Sequence, residues 1–274
     1  MNALSLSLVL WMLFNVSIAQ ASTCEIESEQ LQISAVYPTA ETLPENLLRF
    51  YVYFSRPMLR EDILKSIYLA NEKGEKLEGV FLENRFNLWS PDSTRLTLLF
   101  DPGRVKTGLV AYNEMGHALT PGSEYQLIID KSVMSVAGCT LERQFIKEFN
   151  ATKANYELPD IEQWSLSQPI AGTHDALNVT LNGSMDHVSL AYRLRVKDRE
   201  GEVISGSIAL SKQETMWIFV PEKPWRKRPY RLVVDPMLED ISGNRITGLF
   251  EQPLLMSGKA ELKNWIKIDI QSAL

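Results

Sequence analysis

Apolar and polar residues alternate one by one through much of this chain. Leu48, Phe50, Val52 and Phe54 are separated by Arg49, Tyr51 and Tyr53, and Leu177, Val179 and Leu181 by Asn178 and Thr180. A period of two places every second side chain on one face, as in a half-buried β-strand. Further short apolar runs at Ile67–Leu69, Leu96–Phe100, Tyr125–Ile129, Leu194–Val196, Met216–Val220 and Tyr230–Val234 add strands. Asn71-Glu72-Lys73-Gly74 and Asp198-Arg199-Glu200-Gly201 are polar turns ending in glycine, which suits a hairpin with a left-handed last residue. About seven short strands per ~100 residues predict a β-sandwich.

The strands come in two copies. Phe54 to Gly79 aligns without a gap on Leu181 to Gly206 at an offset of 127 (181 − 54), matching Met58 with Met185, Ile67 with Leu194 and Gly74 with Gly201. Tyr125 to Phe145 aligns on Tyr230 to Phe250 at an offset of 105 (230 − 125), matching Tyr125, Asp130 and Gly138 with Tyr230, Asp235 and Gly243. Phe100-Asp101-Pro102 between the blocks corresponds to Phe219-Val220-Pro221. Two blocks in one order indicate a duplication, to be sought before any finer assignment. The expected organisation is all-β, two tandem immunoglobulin-like sandwiches over residues 22–150 and 151–256. A tail over 257–274 either adds a strand through Ile266, Ile268 and Ile270 or docks on the sandwich. Each copy has its own apolar strands, so residues 155–258 are expected to fold alone. The linker is placed at Ala151–Glu162, and Trp164–Pro169 opens the second copy. The first copy is longer within Gly103–Glu124, a turn-rich loop of the kind that carries binding on a rigid scaffold.

The motifs Phe54-Ser55-Arg56-Pro57-Met58 and Asp240-Ile241-Ser242-Gly243-Asn244 resemble those of bacterial Ig-like domains of the S-layer, or SbsA, type. The chain departs from that pattern at Asn182-Gly183-Ser184-Met185 and at Ser135-Val136-Ala137-Gly138-Cys139. The resemblance covers nearly all of the chain after residue 21. It implies envelope, surface or spacer roles, and brings no catalytic residue to transfer.

Residues 1–21 carry no charged side chain, and an apolar run from Leu4 to Ile18 leads into Ala19-Gln20-Ala21. This is the layout of a cleaved secretory signal peptide, and the run is shorter than the roughly 20 residues of a membrane span. The protein is therefore expected in the periplasm or at the cell surface, with no transmembrane segment after cleavage. The chain has two cysteines, Cys24 and Cys139, so an oxidising compartment allows one intramolecular disulfide between them. Lipid attachment at Cys24 is the competing reading, as is a buried free Cys139.

The 274 residues have a formal net charge of -6, which excludes a general nucleic-acid binder. Three histidines, His117, His174 and His187, lie in segments read as solvated loops, and no Gly-x-Ser-x-Gly nucleophile turn is present. No two His or Cys residues have zinc-ligand spacing. Asp235, Glu239, Asp240 and Asn244 place hard oxygen atoms in one loop, and shaping that turn is their expected use rather than calcium binding. Lys223-Pro224-Trp225-Arg226-Lys227-Arg228 is a dense basic stretch, read as a charged loop around an anchoring Trp. Arg49, Tyr51 and Tyr53 are expected to pack against the other copy or the long loop. No catalytic, cofactor or metal site is assigned. The expected function is non-enzymatic binding or structure with an envelope protein or polysaccharide; the alternative is an accessory or substrate-positioning subunit of an exported enzyme or transport system.

Overall fold

The computed structural model describes residues 30–60, 63–83, 88–105, 116–250 and 265–270. Residues 1–21, Cys24, the centre of the long loop and 251–264 lie outside the described residues. The fold is all-β and immunoglobulin-like. In the N-terminal half, β1 (Ile33–Tyr37), β3 (Arg49–Phe54), β6 (Arg95–Leu99) and β5 (Leu88–Trp89) form one sheet in that order. The facing sheet runs β2 (Thr42–Pro44), β8 (Phe145–Thr152), β7 (Glu124–Ile129), β4 (Ile67–Asn71). In the C-terminal half, β12 (Gly206–Ser211), β13 (Met216–Pro221), β10 (Leu177–Thr180) and β9 (Ser165–Leu166) face β11 (Leu194–Asp198), β14 (Tyr230–Val234) and β15 (Ile266–Ile270). Read in chain order, each half has the strand arrangement of the immunoglobulin sandwich, with the first, second, fifth and fourth strands in one sheet. The parallel pair β2–β8 is the added first-strand segment of the N-terminal half.

The duplication is repeated in the ladders. Ile67 faces Ile129 and Asn71 faces Tyr125; Leu194 faces Val234 and Asp198 faces Tyr230. The offsets of 127 and 105 thus meet in one register. Isolated bridges repeat as well: Met58↔Ser135 answers Met185↔Asp240, and Ala70↔Lys76 answers Lys197↔Val203. Each half also has a tyrosine corner, in which the hydroxyl at the start of a core strand accepts a backbone N–H just upstream. Tyr125 accepts from Thr120 and Tyr230 from Arg226, both at 2.9 Å.

Two cores follow from these faces. One gathers Phe50, Val52, Leu69, Leu98, Leu127 and Phe149, and the other Leu177, Val196, Trp217, Phe219, Leu232 and Ile270. Val105 and Leu119, at the two described ends of the long loop, are buried in the first, whereas Trp225 fills the second and donates its ring N–H to Asp175 O at 2.8 Å. The basic stretch is thus a loop around a buried Trp, with Arg228 paired to Asp198 at 3.1 Å.

The structure corrects several expectations. Short helices α1 (Ile63–Ser66) and α2 (His187–Arg193) precede β4 and β11, in segments to which the sequence pattern assigns no element. Elements of four and seven residues are too short to display a 3.6-residue period. β8 runs on through Thr152, so the connection starts later than Ala151. The tail supplies the seventh strand of the C-terminal half: Ile266–Ile270 pairs along all of β14, and Ile270 lies in the core. A fragment ending at 258 would lack that strand. Phe100 and Phe219 are equivalent in pairing with Phe81 and Ile208, but the inner ladder sets Leu98, not Phe100, in the place of Phe219. A shift of two residues preserves the inward face.

Candidate functional site

The polar residues brought together by the fold lie along the seam between the halves. Arg49 and Tyr51, from the outward parity of β3, meet the loops flanking α2 and β14. The Tyr51 hydroxyl donates to both oxygens of Asp186, at 3.1 and 2.9 Å. Asp186 also caps α2, accepting the Ser189 N–H at 2.8 Å. The Arg49 guanidinium lies 3.5 Å from Asp186 and 2.6 Å from Glu239, whose other oxygen accepts from Arg245 at 2.6 and 2.9 Å. Tyr51 and Asp186 are each 4% exposed. Burial pushes the Asp186 carboxyl above its ordinary range in spite of Arg49, and it pushes the Tyr51 hydroxyl up as well.

A second contact comes from the β12–β13 turn. Lys212, Gln213 and Glu214 have φ of 51°, 58° and 59°, three successive non-glycine residues in the left-handed region. That bend delivers the buried Glu214 carboxylate to Thr39, which donates its backbone N–H at 3.0 Å and its hydroxyl at 2.8 Å. Burial raises the Glu214 carboxyl. Burial also lowers the nearby Lys147 amine, which donates to Ala40 O at 3.0 Å.

His187, the first residue of α2, stacks on Tyr37 with centroids 3.4 Å apart and planes at 20°, and meets the edge of Tyr53 at 5.7 Å. The reading of His187 as a solvated loop residue is therefore overturned. Burial, reinforced by the Arg95 charge, lowers its pKa to about 4, so the ring is neutral near pH 7. His174, in contrast, sits in a loop with Nδ1 3.0 Å from Pro221 O.

The third contact is the turn Asp240–Asn244. Asp240 accepts from the backbone of Ser242 and Asn244, both at 2.8 Å, and from the side-chain amides of Asn155 and Asn244, both at 2.9 Å. Burial nevertheless pushes this carboxyl up to about 7. Asn155 and Asn46 exchange two hydrogen bonds, at 2.9 and 3.0 Å, and Ser242 donates to Asn46 at 3.0 Å. Ile241 enters the core of the N-terminal half. Gly243 has φ +80°, and a Cβ there would stand 2.6 Å from Leu48 Cδ2, so both conformation and space demand glycine.

The corresponding turn of the N-terminal half has the same frame. Ser135 N donates to Cys139 O and Cys139 N to Ser135 Oγ, as Asp240 N donates to Asn244 O and Asn244 N to Asp240 Oδ1. Asn244 in addition reaches the entering chain, donating to Asn155 O at 3.0 Å. Cys139 occupies the equivalent position and is 1% exposed. Cys24, its expected disulfide partner, lies outside the described residues.

The carboxylates of Asp235, Glu239 and Asp240 are all taken by protein donors. Asp235 is paired with Arg193 and accepts the Met237 N–H, Glu239 holds two arginines, and Asp240 holds four N–H groups. Among the described residues, no group of three or more His, Cys, Asp or Glu is placed to hold a metal, and no helix is long and apolar enough to cross a membrane. The seam holds buried carboxylates paired with hydroxyl, guanidinium and amide donors, and its chemistry is that of a joint. Its sequence signals were the outward Arg49 and Tyr51 and the Asp240–Asn244 motif; Glu214, Thr39 and Asn155 gave none.

No protein-family model and no curated protein matches the chain. Solved structures do. A fragment of Escherichia coli alpha-2-macroglobulin spanning domains MG0-NIE-MG1 is 14% identical over 78% of this chain and 68% of its own, with a TM-score of 0.30. The N-terminal part of the bacterial S-layer protein SbsC is 15% identical over 75% of this chain and 41% of its own, also at 0.30. The Ig1-2 module of the Drosophila receptor protein tyrosine phosphatase DLAR is 12% identical over 75% of this chain and 91% of its own, at 0.25. At such scores these similarities add nothing to the strand order, which by itself identifies an immunoglobulin-like fold.

Proposed function

We propose that this chain is an exported, non-enzymatic Ig-like protein of the S-layer type, acting in the periplasm or at the cell surface as a binding or structural module. Its two sandwiches are two domains meeting after Thr152, with Ile266–Ile270 belonging to the second, and its partner is an envelope protein or polysaccharide. The observation that carries this reading is the Tyr51–Asp186–Arg49–Glu239 cluster. Breaking one member of a buried charged network strands the others, so such a joint holds two sandwiches in one orientation. A fixed pair of sandwiches suits spacing or presentation, where a moving cleft would suit turnover. The same internal symmetry supports a Cys24–Cys139 bridge, the covalent counterpart of the Asn244 tether on the entering chain. Cell fractionation with N-terminal sequencing tests the reading. Mature protein starting at Ser22 in the periplasm or on the surface is expected; an intact N-terminus in the cytosol, or turnover of generic esters or glycosides by the pure protein, would overturn it.

A further inference from the structure

The strand β12 is the outer edge of its sheet, hydrogen-bonded to β13 on one side and, among the described residues, to no strand on the other. Sheet edges are ordinarily blunted by charge, proline or a bulge, because their open N–H and C=O groups template pairing with another chain. Neither charge nor proline occurs from Val203 to Ser211, a run of nine residues, Val-Ile-Ser-Gly-Ser-Ile-Ala-Leu-Ser. β12 pairs with β13 without a break in register, and its first four residues are exposed.

Beneath this edge the sandwich is open. A cleft of about 610 Å³ between β12 and β11 is lined by Val196, Ile204, Ile208, Trp217 and Phe219. Trp217 is fully buried, yet its ring N–H has no hydrogen-bond partner. The N-terminal half shows what fills such a gap. Phe81 pairs with Phe100 as Ile208 pairs with Phe219, and both Val80 and Phe81 are buried in the core. At the equivalent positions stand Ser207 and Ile208, the latter 39% exposed. The edge of the N-terminal half is reduced to that bridge and the two-residue β5, with Glu83 and Arg85 between them in sequence. Neither protection, charge nor proline, is present on β12.

We propose that β12 is a pairing edge for a second copy of this chain, joined antiparallel about a two-fold axis at Ser207. The argument for this occupant is complementarity of the edge with itself. The uncharged run is bracketed by Glu202 at one end and Lys212 at the other, so antiparallel pairing centred on Ser207 sets Glu202 of each copy opposite Lys212 of its partner. The same register lays each Ile208 over the partner's Gly206. That position bears no side chain, and a Cβ there would meet Val220 O at 2.4 Å and the Phe219 ring at 2.6 Å. Ile208 and Gly206 lie on the cleft side, so the pairing closes both clefts. Identical patches meeting about a two-fold axis end in a closed dimer, not a fibre.

Sedimentation velocity on the protein starting at Ser22, from about 1 to about 100 µM, is the test. Concentration-dependent dimerisation is expected. Ile208→Lys should weaken it by at least about ten-fold, with far-UV circular dichroism and melting temperature unchanged. Glu202→Lys should weaken it by roughly two- to five-fold, and Glu202→Lys with Lys212→Glu should recover the wild-type affinity. The charge swap decides alone if the Ile208 variant proves misfolded. A monomer at every concentration overturns the proposal, even one that binds another polypeptide along β12. A dimer indifferent to these changes, or one that the charge swap does not restore, overturns it as well.

Discussion

The Tyr51 hydroxyl donates to both carboxylate oxygens of Asp186 across the seam between the N-terminal and C-terminal halves. The pair joins residues 135 positions apart in the chain, and Asp186 caps a helix with the same carboxylate. Tyr51→Phe removes one donor and leaves the carboxylate buried, which should cost about 1–3 kcal/mol. Asp186→Ala also removes the cap, worth about 1 kcal/mol, and strands Arg49, so its cost should be larger. Urea unfolding at pH 7 checks the order; an unchanged midpoint for Tyr51→Phe would mean that the seam bears no load.

The ring of His187 gives the stability a pH dependence whose sign follows from its burial. Its folded pKa of about 4 lies below the ordinary imidazole value of 6.5, so the unfolded state takes up the proton first. Its stabilising contribution is complete above pH 6.5 and is lost as pH falls toward 4. His187→Phe keeps a ring for Tyr37 but has no proton to gain. Between those limits it should lose roughly 2–3 kcal/mol less stability than the wild type. Parallel denaturant curves for the two proteins across this range isolate the effect from Asp240, whose pKa is shifted in the opposite direction and which both retain.

Three successive positive φ angles at Lys212–Glu214 place Glu214 against Thr39. Gln213 is exposed, with φ 58°, and its side chain is not needed for that contact. Gln213→Gly should raise stability by about 0.5–1 kcal/mol through relief of the left-handed backbone. Thr39→Val, which removes a donor to Glu214, should lower it by about 1–2 kcal/mol. Thermal unfolding of the two variants should shift in opposite directions.

The C-terminal half should fold by itself only when its last strand is included. Residues 155–274 retain β15 and Ile270, whereas residues 155–258 lack both. Cooperative unfolding by near-UV circular dichroism is expected of the longer fragment and not of the shorter. Equal behaviour would show that Ile266–Ile270 is dispensable.

A Cys24–Cys139 disulfide would enclose almost the whole N-terminal half and contribute about 4–5 kcal/mol in the chain-entropy description. Protein recovered from the periplasm and alkylated without reduction should carry no label. Two labelled thiols would eliminate the bridge, and a diacylglyceryl mass on Cys24 would establish a lipoprotein instead.

The period of two at Leu48–Phe54 and the repeated blocks at offsets 127 and 105 determined the all-β class and the duplication, because strand alternation and self-similarity are local properties of a sequence. The ladders then pair Ile67 with Ile129 and Leu194 with Val234, at positions that the alignment had matched between the copies but had not paired across strands. What lay beyond the sequence was long-range. Ile266–Ile270 could be a strand or a docked tail until β14 offered it an open edge. His187 resembles any loop histidine until Tyr37, 150 residues earlier, is laid on its face. Glu214 and Asn155 have no local pattern at all, since their partners Thr39 and Asp240 come from other parts of the chain. A polar side chain is solvated or buried according to what the fold brings opposite it, and only the packing of one half against the other decided that for this seam.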